Sequence, residues 1–147
     1  VELASLCAKQ FKKHGSGHII LSASCLSKFA TPSHGAYCAS KSAIEAFAKS
    51  MRMELKPSNI HVSTLHPIGT RTEFFKSSAS RSGTEHSSFE ERAPSWLMQS
   101  PDRVAKEVVK CLKKPKPEIW TSVFMRTVST LFSAFPRIAQ FFASRLT

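Results

Sequence analysis

The chain alternates between helical and extended hydrophobic patterns. Over residues 1–13 the apolar positions Leu3, Leu6, Cys7 and Phe11 suit the end of an amphipathic helix, broken by His14-Gly15-Ser16-Gly17. Residues 18–24 follow with Ile19, Ile20 and Leu21 as one continuous apolar run, the pattern of a short buried strand. After the turn Pro32-Ser33-His34-Gly35, the positions Ala36, Ala39, Ala43, Phe47, Met51 and Leu55 recur at helical steps and predict a long helix over 36–56. Pro57-Ser58-Asn59 stops it, and 60–65 has the length and β-branching of a second strand. Strand, long helix and strand in that order predict a βαβ unit, hence a parallel sheet with a right-handed crossover.

Beyond it, 70–96 is polar and serine-rich and is expected to be a loop that closes over something. Ser100-Pro101-Asp102 is a helix start, with Ser100 as cap and Pro101 in the first turn. That helix is expected to bury Val104, Val108 and Leu112 and to end before Pro115, with a short last strand over 118–123. Residues 124–146 carry aromatic and aliphatic side chains on a helical stripe interrupted by Pro136. No repeat or composition shift divides the chain, so a single domain over 1–147 is expected.

Charge changes the picture mainly at the carboxyl-terminal end. The chain is formally +11, and residues 103–147 hold nine Lys/Arg against Glu107 and Glu118, a balance of +7. Such a stretch suits an anionic membrane surface, a phosphorylated ligand or nucleic acid; no zinc-finger, helix-turn-helix or RNA-binding motif accompanies it, so nucleic acid is set aside. In 124–147, Phe124, Leu131, Phe135 and Phe141 lie among Arg126, Arg137 and Arg145. Peripheral membrane contact is one expectation for that segment, and dimer contact or packing on the domain is the other. The four cysteines form no C-x-x-C pair and suit reduced thiols, giving a cytoplasmic protein as the expectation. The six histidines have no ligand spacing, so no metal is assigned.

The chemistry gathers at strand ends. Tyr37 and Lys41 stand four residues apart at the start of the long helix, which puts phenol and ammonium on one face. A nearby cation stabilises phenolate, so Lys41 is expected to lower the Tyr37 pKa from near 10. Ser24 ends the preceding strand, where its hydroxyl can bond an oxygen whose charge changes during reaction. His66-Pro67-Ile68-Gly69-Thr70-Arg71-Thr72 follows the next strand, so two successive strand ends carry polar loops.

Gly17 through Ser24, then Tyr37-Cys38-Ala39-Ser40-Lys41, then Pro67 through Thr72 resemble the ordered signature of the short-chain dehydrogenase/reductase family, most of all its compact single-domain branch. The resemblance implies an α/β fold, the C-terminal half of a Rossmann-type doubly wound parallel sheet. It implies an NAD(P)-dependent oxidoreductase that interconverts a carbonyl and an alcohol. Tyr37 would be the general acid/base, aided by Lys41 and Ser24. Tyr37, Lys41, Pro67, Ile68, Thr70 and Thr72 would hold the cofactor, NAD or NADP with NADPH slightly favoured. Residues 73–100 would form the substrate loop, with Phe74, Phe75, Phe89 and Trp96 facing a small apolar substrate or else packing. A homo-oligomer is expected for the full-length protein.

Two departures matter. Ile68 follows the proline where the family often has glycine, and the glycine-rich turn that cradles pyrophosphate does not occur in the sequence. That turn, and the asparagine completing the family's catalytic tetrad, would lie upstream of Val1. The chain is therefore expected to be part of a longer polypeptide and unstable in isolation. Two alternatives stay open: a truncated non-catalytic relative acting through protein contacts, and a nucleotide-sugar epimerase or dehydratase of the extended branch.

Overall fold

The structure, a computed structural model, describes residues 1–71 and 97–144. Thr72, Phe74, Phe75, Phe89 and Trp96 lie outside the described residues, with most of the expected substrate loop. Strand β1 (Gly17–Ser22) pairs in parallel with β2 (Ile60–His66), which pairs in parallel with β5 (Glu118–Trp120), giving the order β1-β2-β5. A second, two-stranded parallel pair joins β3 (Gly69–Thr70) to β4 (Met98–Gln99).

Register decides what each face carries. Gly17 lies opposite Ile60, so Ile19 and Val62 are neighbours on one face. Helices α1 (Glu2–His14) and α2 (Gly35–Leu55) cover that face, where Ala4, Ala8, Ala48, Met51 and Leu55 close over Ile19, Ile60 and Val62. One residue on, Ser63 projects from the other face, and its Oγ lies 3.5 Å from Cys111 Sγ of α3 (Pro101–Lys113). The two crossovers therefore step the same way across the sheet but over opposite faces. They must be of opposite hand, so the right-handed rule cannot hold for both.

The helical faces differ from the sequence expectation in informative ways. In α1 the buried residues are Ala4 and Ala8, with Cys7 and Phe11 at the margin, while Leu3 and Leu6 are exposed. At about 100° per residue, Leu3 and Leu6 fall roughly 100° and 160° round the axis from Ala4, off the packing face. In α2, Ala36, Ala39 and Ala43 are exposed, and Cys38, Glu45, Ala48, Met51 and Leu55 are buried. In α3 the core position is Cys111, fully buried, and Leu112 is exposed. Cys111 lies about 20° round the axis from Val104, whereas Leu112 lies about 80° from it, at the outer margin of the stripe.

The carboxyl-terminal segment follows its pattern closely. Helix α4 (Val123–Ala134) starts at Ser122, whose hydroxyl accepts a hydrogen bond from the Met125 amide at 3.3 Å. It ends at Phe135, and Pro136 opens α5 (Pro136–Ala143), the break expected from the sequence. Met125 joins Cys25, Ile68 and Trp120 in a second apolar cluster at the carboxyl ends of β1 and β2, with Phe29 and Leu97 at its margin.

Gly17 is required by packing. A Cβ built there would stand 2.2 Å from Cγ and 2.7 Å from Cβ of Phe11, where α1 lies on the start of β1. Gly17→Ala should therefore lower the free energy of unfolding by about 1–3 kcal/mol. In urea unfolding, the loss should shrink markedly in the Gly17→Ala/Phe11→Ala pair relative to the sum of the two single variants. Strict additivity would show that the contact is not the cause.

Candidate active site

Strands β1 and β2 end on the same edge of the sheet and keep contact beyond it. The Ala23 amide donates to the Leu65 carbonyl at 2.9 Å, and the Cys25 amide to the Pro67 carbonyl at 3.2 Å. Ser24 is thus laid beside the Pro67 loop in an extended conformation, before a 3-10 turn over Cys25–Ser27. Its Oγ accepts from the Leu26 amide at 3.2 Å, and the residue is 5% exposed. Tyr37 sits in the first turn of α2, half-buried, with its hydroxyl hydrogen-bonded to the Ser24 side chain. Lys41 follows one turn later, its Nζ 5.7 Å from the centre of the Tyr37 ring. The structure brings Ser24, Tyr37 and Lys41 together.

Their electrostatics correct one expectation. Burial pushes the Tyr37 phenol up, the hydrogen bond with Ser24 pulls it only partly back, and the net shift is upward. Lys41 is pushed down by burial, and its Nζ donates to the Ser22 carbonyl at 3.1 Å. The lowering expected from Lys41 is absent because the ammonium turns to a strand-end carbonyl and the phenol loses solvent. Tyr37 is accordingly a neutral O–H donor at neutral pH. Burial likewise pushes the Cys25 thiol up, which holds it protonated and poorly nucleophilic.

The loop after β2 is fixed by its own bonds. Thr70 Oγ1 donates to the Ile68 carbonyl at 2.9 Å and accepts from Gln99 Nε2 at 3.2 Å, while the Arg71 amide donates to the Gln99 carbonyl at 3.0 Å. Ile68, expected against a nicotinamide, has its side chain 8% exposed in the cluster with Cys25, Trp120 and Met125. That placement accounts for the missing glycine: the extra bulk packs inward, in the core.

The donor set fits part of a dinucleotide. An ammonium has three N–H donors, of which the Ser22 carbonyl engages one at Lys41. Together with the Tyr37 hydroxyl it suits a pair of vicinal hydroxyls, such as a ribose diol. For pyrophosphate the sequence offers Gly15, Gly17, Gly35, Gly69 and Gly83, too scattered for a phosphate-cradling turn.

Behind Ser24 lies a buried polar network that hydrophobic patterning did not reveal. The Ser24 carbonyl accepts from Ser27 Oγ at 2.7 Å and lies 3.0 Å from Nδ1 of the fully buried His66. Ser27 Oγ also lies 2.5 Å from Glu45 Oε2. Glu45, 3% exposed, is ion-paired with Lys28 and, at 2.7 Å, with Lys49. Lys28 reaches on to Glu118 at 2.8 Å, and Glu118 accepts from Trp120 Nε1 at 2.8 Å. The Trp120 indole stacks on the His66 ring, 4.5 Å between centres. Burial pushes His66 down, which keeps it neutral; with Nδ1–H donating to Ser24, its Nε2 accepts from Thr64 Oγ1 at 2.9 Å. The only advance signal was a glutamate inside an otherwise small, apolar helix face.

Comparisons with known proteins bear on the family and the fold. The family whose profile matches residues 1–83 is described as short chain dehydrogenase. A Drosophila melanogaster relative, Dehydrogenase/reductase SDR family protein 7-like, is 35% identical over 122 residues, covering 83% of this chain and 37% of that protein. A short-chain dehydrogenase from Burkholderia cenocepacia J2315, solved with NADP, aligns with a TM-score of 0.68 at 21% identity, over 90% of this chain and 49% of that one. One from Sphingobium yanoikuyae, solved with NADPH, aligns at 0.67 and 24% identity, over 97% and 50%. At these identities the structures establish the fold, which is α/β and Rossmann-type. The chain spans half or less of the length of each of these proteins.

The network makes stability depend on acid. Burial alone would raise the Glu45 pKa, but hydrogen bonds from Lys28, Lys49 and Ser27 outweigh it and hold the group at about 2, against 4.5 for an ordinary glutamate. A lowered folded pKa contributes stability that is fully present above pH 4.5 and is lost as the pH falls towards 2. Urea unfolding across that window should show the decline, and Glu45→Gln should flatten it. Glu45→Ala, which takes one of its two carboxylate partners from Lys28 and leaves Ser27 without its carboxylate, should cost about 1–3 kcal/mol at neutral pH.

Proposed function

This chain belongs to the short-chain dehydrogenase family, and on that premise we propose that it carries the proton-transfer site of an NAD(P)-dependent oxidoreductase acting on a carbonyl/alcohol pair. The observation that carries the reading is the Ser24–Tyr37–Lys41 group: two hydrogen-bonded hydroxyls and an ammonium at the carboxyl edge of a parallel sheet. In α/β folds of this kind, that edge is where ligands bind.

In this reading Ser24 bonds the carbonyl oxygen of the substrate and Tyr37 gives that oxygen its proton. A buried, neutral phenol suits reduction, because the proton is already on the donor when the carbonyl arrives. As the O–H bond breaks, charge moves to the phenolate, and the Lys41 ammonium beside the ring stabilises it. Lys41 would also hold the ribose hydroxyls of the dinucleotide, and Pro67, Ile68 and Thr70 would hold its nicotinamide end, with Thr72 of the same motif outside the described residues. The Ile68 contact would be made by backbone, since its side chain is packed inward. When bound, a reduced nicotinamide supplies the hydride. The pyrophosphate site in this reading is formed by residues outside this sequence, and a small apolar ketone or aldehyde is the substrate class. The dinucleotide in this reading is NAD or NADP, since similar folds are solved with NADP, NADPH and NAD.

In the full-length protein, Tyr37→Phe should lower kcat by about 10²–10⁴ and weaken cofactor affinity by about tenfold at most, since Lys41 still holds the ribose diol. Unchanged turnover would refute the assignment. The upward shift of Tyr37 sets the pH profile as well, since the donor is lost only above its raised pKa. Reduction should stay level through neutral pH and fall only in strong alkali, beyond the ordinary tyrosine value of about 10. A fall centred near pH 7 would assign the proton to another group.

A further inference from the structure

One peptide unit fixes where the Ser24 hydroxyl stands. The Ser24 carbonyl and the Cys25 amide belong to the same planar group, and residues 66 and 67 hold both ends of it. The Cys25 amide donates to the Pro67 carbonyl at 3.2 Å, and the Ser24 carbonyl lies 3.0 Å from His66 Nδ1. Ser24 itself is extended, at φ −164° and ψ 162°, and its side chain bonds the Leu26 amide and the Tyr37 hydroxyl. A shift of that peptide carries the Ser24 Cα with it, and so moves the hydroxyl relative to Tyr37.

The hydrogen on the Ser24 carbonyl has two possible sources, and they are unequal. Ser27 Oγ carries a single hydrogen, and the Ser24 carbonyl at 2.7 Å competes for it with the Glu45 carboxylate at 2.5 Å. The carboxylate is the stronger acceptor, so the carbonyl needs a second donor. A carbonyl oxygen only accepts, and at 3.0 Å from it Nδ1 must carry a hydrogen. Nε2 is then free to accept from Thr64 Oγ1 at 2.9 Å. The ring is wholly buried and stacked on Trp120 with 11° between planes, and the indole is tied in turn to Glu118 at 2.8 Å. An imidazole held at both nitrogens and on one face keeps its orientation. Resting on the roles given above to Ser24 and Tyr37, we propose that His66 is a positioning residue. As its Nδ1–H tautomer it clamps the Ser24–Cys25 peptide to the Pro67 loop, and so sets the Ser24 hydroxyl against Tyr37 and the reacting oxygen.

The tautomer is read first, by long-range nitrogen–proton NMR correlation of the full-length protein carrying isotopically labelled histidine, with the His66 signals assigned by their loss in His66→Asn. A hydrogen on Nδ1 at neutral pH is expected, and its absence overturns the proposal without any assay of activity. Kinetics then test the clamp, with benzaldehyde as the carbonyl probe and NADPH or NADH, whichever the enzyme uses. His66→Phe keeps a ring against Trp120 and removes the donor. It should lower kcat by about ten- to hundredfold and leave KM for the dinucleotide within about twofold of wild type. His66→Asn returns an amide N–H close to the place of Nδ1 and should bring kcat back to within about threefold of wild type. In a Ser24→Ala background, His66→Phe should cost less than about twofold further, because the group it positions is already gone. Equal losses in the Phe and Asn variants overturn the proposal, as does an undiminished loss in the Ser24→Ala background, since general loosening of the fold acts in any background. Unchanged turnover in Tyr37→Phe would sink the proton-donor reading and leave the tautomer standing, whereas a bare Nδ1 would sink the clamp and leave Tyr37 untouched.

Discussion

The carboxylate of Glu45 is the constraint on which the reactive edge depends. It is almost wholly removed from water, and a carboxylate in that position is tolerable only when cations and hydroxyls meet it from several sides. Lys28 and Ser27 come from the segment that leaves β1, and Lys49 comes from the next turn of α2. Satisfying one charge therefore ties the exit of β1 to the middle of the helix that carries Tyr37 and Lys41. Through Lys28 the same charge reaches Glu118 on β5, and through Ser27 it reaches the Ser24 carbonyl. Ser24 is held from behind by a network that joins the segment leaving β1 to α2, β2 and β5.

The sheet supplies the other half of this arrangement. Parallel strands end together, and the β1–β2 register places the residues after each strand side by side: Ala23 against Leu65 and Cys25 against Pro67. Ser24 cannot slip without breaking both bonds. The long helix enters beside this edge because its N-terminus must return over the sheet, which brings its first two turns, and so Tyr37 and Lys41, to Ser24. With α3 on the opposite face, α2 enters above this edge, and the second apolar cluster, with Ile68, Trp120 and Met125 of α4, fills the space beside it.

Much of this was legible in the sequence, and the reasons for the rest are physical. The runs at Ile19 and Ile60, the turn residues around them and the proline at 136 are local signals, and those elements fall within a residue or two of their expected bounds, whereas the last strand stops at Trp120 rather than 123 and α4 already starts at Val123. Ser24, Tyr37 and Lys41 were legible because their spacing is fixed by those elements. Which face of a helix is buried was less so. Leu3, Leu6 and Leu112 are stronger hydrophobes than Ala4, Ala8 and Cys111, yet the smaller residues lie inside because the helices approach the sheet closely there. A pattern weighted by hydrophobicity cannot see close approach. The Glu45 network was hidden for a related reason: its members are far apart in sequence, and each alone reads as a solvated polar residue. Only folding makes Lys28, Glu45 and Glu118 neighbours.

The state of the Tyr37–Lys41 pair follows from the same packing. An ammonium near a phenol favours phenolate only if its charge is turned towards the oxygen and water does not already solvate the anion better. Here the Ser22 carbonyl draws Lys41 aside, and burial penalises the phenolate more than it penalises the O–H. The proton therefore rests on Tyr37, where it can be given to an oxygen arriving at Ser24. Once it leaves, the balance reverses: the new phenolate is a stronger attraction for Lys41 than a neutral carbonyl can be. A lysine held by one weak backbone bond, and free to exchange it, resists phenolate before transfer and stabilises it afterwards. In the proposed reaction that difference between the two states is what Tyr37 would need as a proton donor, and the strand-end carbonyl together with the partial burial of the phenol would supply it.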